Sequence, residues 1–116
     1  MKEKIQKLND GYIGVYRPKS RKTDFSAKVS AKTMDDLEYF VDMAYSEQYK
    51  REQDFDFAES SGHSLGLKVK TLLYEEITKE YKVILDNVLY NILKIDYAKS
   101  ERAMYFYLEE ERKLAE

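Results

Sequence analysis

Few residues in this 116-residue chain could do chemistry, and they are scattered. The only histidine, His63, stands between Gly62 and Ser64, where a loop gives way to a strand pattern. An imidazole there could act as a general base if a carboxylate oriented it and a hydroxyl lay at its other nitrogen. No such partners stand at a fixed spacing from it, so it reads as an exposed turn histidine. Asp54, Asp56 and Glu59 lie close together, but the run lacks the glycine and ligand spacing of a calcium loop. It reads as a solvated acidic face. Four glycines in the whole chain leave no room for a phosphate-cradling loop, and the absence of Cys removes thiolate ligands and disulfides. The expectation is therefore no enzyme, no metal and no cofactor.

A second kind of chemistry is suggested by "YRPKSRK", where Tyr16 is interleaved with Arg17, Lys19, Arg21 and Lys22. Aromatics beside cations suit single-stranded nucleic acid, so a small nucleic-acid-binding module using residues 16–22 is the alternative reading. Against it stands a pI of about 5.6, since a dedicated binder carries a basic excess over its whole domain.

The net charge of −2 conceals a segregation. Residues 1–32 carry nine Lys/Arg against three Asp/Glu, residues 33–62 two against nine, and residues 63–116 nine against ten. Opposite blocks suit head-to-tail contact between identical subunits, although they could equally pair within one monomer. The contact set expected on this ground is Arg17, Lys19, Arg21, Lys22 and Arg51 with Asp54, Asp56 and Glu59.

The elements that must position these residues are mostly strands. "SLGLKVKT" alternates Leu65, Leu67 and Val69 with polar residues, which predicts a strand with one apolar and one wet face. In "KVILDNVLYNILKID" two apolar runs meet at Asp86-Asn87, residues that tolerate the positive φ of a tight hairpin. That turn would set Leu85 opposite Val88, Val83 opposite Tyr90 and Tyr81 opposite Ile92, all on the core side. "RAMYFYLEE" adds Met104, Phe106 and Leu108 on one face. "GYIGVYRP" predicts a strand stopped by Pro18, followed by an exposed basic loop. From Leu37 the positions 37, 39, 41, 43 and 45 fit a strand and 37, 40, 41, 44 and 45 a helix, and the aromatic and Val content favours the strand. "KREQDFDFAESSG" reads as a short helix or irregular excursion ended by Gly62. The fold class expected is mainly β: a small antiparallel β-barrel or bent meander with long loops and room for one short helix.

Length predicts one domain over residues 1–116, with a thin core. The composition, 43% hydrophobic and 36% charged, is that of a soluble globular chain. No apolar run is long enough to span a membrane, and "MKEKIQKLND" is charged where a signal peptide needs its apolar centre, so a cytoplasmic chain is expected. The 11 Tyr supply contact area with a polar tip, which suits a surface packed against other protein.

The order of these features over residues 37–112 resembles the head-closure or head-tail joining proteins of long-tailed bacteriophages. The most specific part is "VILDNVLYNILKID" followed by "RAMYFYLEE": a Val-led strand, a tight turn, Tyr-x-Ile, a second Ile, a charged loop and a closing strand. Those positions are Val83, Tyr90, Ile92, Ile95 and Met104–Leu108. The chain departs from the pattern in offering Tyr39 or Phe40 where a Trp is frequent, and Asn87 where the turn often has Gly. Residues 1–32, a basic strand and loop, carry no role from the family. The resemblance implies a virion protein made in the host cytoplasm, monomeric when isolated. It would assemble as a ring below the portal and adaptor, retain packaged DNA with non-specific contact to it, and receive the tail. It implies no catalysis and no membrane. Residues 18–32 and 47–62 are the segments expected to stay mobile until docking.

Overall fold

The computed structural model describes residues 8–19 and 36–114. They form strands β1 (Gly11–Pro18) and β2 (Leu37–Glu47), helix α1 (Glu52–Ser60), and strands β3 (Leu67–Leu72), β4 (Lys82–Leu85), β5 (Val88–Ala98) and β6 (Ala103–Lys113). The strands close into an antiparallel barrel in the order β1-β2-β3-β6-β5-β4. Because all neighbours are antiparallel, the ends of β1 and β2 at Pro18 and Leu37 and the β3–β4 and β5–β6 connections gather at one end, the upper. The lead-in to β1, the β2–β3 connection and the β4–β5 turn gather at the other.

The hairpin at Asp86-Asn87 forms as expected. Both residues hold positive φ, 51° and 64°, the conformation of a two-residue turn whose twist matches the strands it joins. Leu85 pairs with Val88 and Val83 with Tyr90. The third expected pair does not form: β4 begins at Lys82, and Tyr81 instead sets its ring 5.4 Å from Phe40.

Ile13, Val15, Met43, Leu67, Val69, Val83, Ile92, Met104, Phe106 and Leu108 fill the barrel. Ile77, from the β3–β4 connection, is wholly buried among them and closes the upper end. Three register shifts interrupt the ladders, at Val15/Tyr16, Leu89/Tyr90 and Ile92/Lys94, and two of them set which side chains reach the core. Val15 pairs with Val41 but Tyr16 with Tyr39, so Phe40 is an extra residue; it packs against the core while Tyr39 turns outward. Ile92 pairs with Leu108 but Lys94 with Tyr107, so Leu93 is extra, and both Ile92 and Ile95 reach the core.

α1 lies on the outside of the barrel, over β6 and its neighbours. Ala58, Leu65 and Tyr107 form a second apolar cluster there, with Leu93 and Tyr105 against it. This corrects two expectations. Leu65 precedes β3 and belongs to the outer cluster instead of the barrel interior. The outer side of β3 is not wet at Lys68, which α1 covers. The short helix expected within residues 50–62 forms, and its buried Asp54 and Ala58 anchor it to the sheet.

Candidate functional site

Of the described residues in the expected contact set, Arg51 and Asp54 meet within one subunit, whereas Arg17 and Lys19 lie at the other end of the barrel. Arg17, near the upper end of β1, donates from Nε to Glu38 Oε2 at 2.7 Å and holds its guanidinium 5.1 Å above the Phe40 ring. Lys19 follows β1 and is exposed. Arg21 and Lys22 lie outside the described residues. Arg51, Asp54, Asp56 and Glu59 belong to the β2–β3 connection, which leaves from the lower end.

Asp54 departs from the expected solvated acidic face: its side chain is 4% exposed. Its carboxylate accepts the Arg51 backbone N–H at 2.9 Å, the Arg51 guanidinium at 3.2 Å and Lys68 Nζ at 3.0 Å. Burial pushes this carboxyl up, but the hydrogen bonds from Arg51 and Lys68 outweigh it and hold it at about 2. Asp54 is therefore a fastener for α1, and only Asp56 and Glu59 of the three acids face solvent. Beside it Lys94 Nζ sits 4.6 Å from the Phe57 ring centre and 4.7 Å from that of Tyr107, a cation between two aromatic faces.

His63 is exposed as expected, but it does have a carboxylate: Nδ1 is 3.0 Å from Glu109 Oε1, whose other oxygen accepts the Ser64 backbone N–H at 2.8 Å. Among the described residues no hydroxyl bonds to the ring, so no nucleophile completes a triad. No three His, Cys, Asp or Glu side chains of the described residues converge as metal ligands. No helix among them is long and apolar enough to cross a membrane.

Two surface features were missed by sequence reasoning. Among the described residues no element covers the outer face of β1 and β2 as α1 covers the opposite wall, and this face carries Tyr12, 70% exposed, and Tyr39, 56% exposed. Tyr16 meets Tyr39 edge-on at 5.7 Å and lies over Gly14, where a Cβ would come within 3.2 Å of its ring. The second feature is the lower mouth. Asp10, Glu47, Asp86 and Glu110 are all exposed there, around the hydroxyl ends of Tyr45 and Tyr90. Burial, then the field of these carboxylates, pushes both phenols up. The acids are far apart in sequence, and only the antiparallel closure of the barrel brings their strand ends to one pole.

No protein-family model and no curated protein matches the chain.

Proposed function

We propose that the protein is a structural component of a phage virion, joining head to tail as a ring subunit below the portal and adaptor. One observation carries this reading: a small barrel filled by its own side chains presents exposed aromatic surface, Tyr12 and Tyr39, on the wall opposite the one that α1 covers. Exposed tyrosines on a rigid sheet are contact area for other protein. In this role the chain needs no cofactor and no catalysis. It touches packaged DNA without sequence preference, and its partners are adaptor or portal proteins on one side and tail proteins on the other. The nucleic-acid reading gains nothing from Arg17, whose guanidinium is already committed to Glu38 and Phe40.

The test is a phage deleted for this gene. Particles from such a lysate should be heads that lose their DNA and unattached tails, and supplying the protein in trans should restore infectious particles. Normal tailed particles from the deletion would overturn the proposal.

A further inference from the structure

The outer side of β3, β6 and β5 carries cations interleaved with aromatic rings. On β6 the outward residues Tyr105 and Tyr107 stand two positions apart, about 7 Å along the strand. Lys68 of β3 and Lys94 of β5 flank Tyr107 from its two sides, and Lys70 of β3 pairs with Tyr105. The ammonium groups hang over those rings: Lys68 Nζ is 5.0 Å and Lys94 Nζ 4.7 Å from the centre of Tyr107, and Lys70 Nζ is 5.9 Å from that of Tyr105. A ring with a lysine beside it is therefore a unit repeated along β6. Asp96, paired with Tyr105, and Glu109, bonded to His63 beyond Tyr107, bound the patch.

Helix α1 displays the chemistry that this face accepts. Between its ends it carries Glu52, Asp54, Asp56 and Glu59 and no Lys or Arg. Its Asp54 carboxylate lies on Lys68, and its Phe57 ring meets Tyr107 at 6.5 Å between centres and Lys94 Nζ at 4.6 Å. An anion on a lysine and a flat ring against a tyrosine are the two contacts that a phosphate and its base make on a single-strand binding surface. The hold of α1 is small. Only Asp54 and Ala58 of its nine residues are buried, and a helix of that length does not persist without its docking face. The second unit, Lys70 with Tyr105, is half-buried beside it.

We propose that the outer face of β3, β6 and β5 binds single-stranded nucleic acid, and that α1 is an internal stand-in for one nucleotide which lifts to admit the strand. The repetition favours this class of ligand over an acidic peptide. One carboxylate and one ring satisfy a single unit, whereas two ring-and-lysine units at strand spacing suit successive nucleotides of a polymer. The site is separate from residues 16–22 and does not depend on the virion role. Because α1 competes for it, the affinity of the intact chain is reduced by the fraction of molecules in which the helix is docked.

The test is fluorescence anisotropy on the full chain, with a labelled oligothymidylate of about 12 nucleotides at roughly 50 mM salt. Phe57→Ser and Asp54→Asn each remove one half of the stand-in and should tighten binding about tenfold over wild type. Phe57 is half-buried and outside the barrel, so its loss leaves the core closed, which a cooperative melt of the variant checks. In the Phe57→Ser background, Lys70→Gln should weaken binding and flatten the dependence of log affinity on log salt by about 0.7, the share of one phosphate on a single strand. Tyr105→Ser should weaken binding with no change in that slope. A Phe57→Ser protein that melts cooperatively yet binds no tighter than wild type, or a slope that Lys70→Gln leaves unchanged, would overturn the proposal. So would a Phe57→Ser protein that binds a synthetic peptide of residues 51–61 and not the oligonucleotide, since the face would then be a receptor for acidic helices.

Discussion

Lys68 Nζ lies 3.0 Å from Asp54 Oδ2 beneath α1, and both side chains are less than a tenth exposed. Removing one partner leaves the other buried and uncompensated, so Asp54→Ala should destabilise the protein by about 3–5 kcal/mol. Replacing both, as Asp54→Leu with Lys68→Met, should recover most of that loss, because the pair's attraction is largely offset by desolvation. Urea titration of the two variants checks this; a double variant as unstable as the single would show that the pair is a net stabiliser.

The same carboxylate sets an acid limit. Its pKa falls from 3.8 to about 2 on folding, so the stability it contributes is complete above the unfolded value and drains away as pH falls through the folded one. Wild type should lose on the order of 2 kcal/mol between about pH 4 and pH 2 through this group. In Asp54→Asn that increment should be missing from the pH profile, measured by denaturant melts at each pH.

At the hairpin, Asn87 holds φ 64° and donates from Nδ2 to the Leu114 carbonyl at 3.3 Å. A β-branched residue cannot adopt that backbone without strain, and Asn87→Val should cost about 1–2 kcal/mol. Asn87→Gly should be close to neutral, the freer backbone offsetting the lost hydrogen bond. Equal melting temperatures for the Val and Gly variants would contradict the assigned turn.

On the β1–β2 wall, Tyr12→Ser and Tyr39→Ser should change stability by about 1 kcal/mol or less, as exposed positions do. Incorporation into phage particles should nevertheless drop sharply, read by blotting purified virions. Unimpaired incorporation of the double variant would remove this wall from the assembly surface.

The parts of the fold legible in the sequence are those governed by neighbours along the chain. Alternation through Met104, Phe106 and Leu108 and the backbone tolerance of Asp86-Asn87 are local, and both appear in the barrel as expected. Spacing alone misleads wherever a partner strand inserts a bulge. Ile92 and Ile95 are an odd number of residues apart, which period two forbids on one face, and the extra Leu93 reconciles them. Phe40 and Tyr39 exchange faces for the same reason. Lys68 and Leu65 were misplaced because the dryness of an outer wall depends on where α1 docks, which no local pattern encodes. The acidic mouth was hidden more completely, since its members come from the lead-in, β2, the hairpin turn and β6.

Ile77 has a topological consequence. A bore stopped by a buried side chain admits no polymer, so nothing threads an individual subunit. Any conduit through an assembly of these barrels must run between molecules and be walled by their outer surfaces. Its width would follow from how many copies surround it, and its chemistry from whichever wall each copy turns toward the centre.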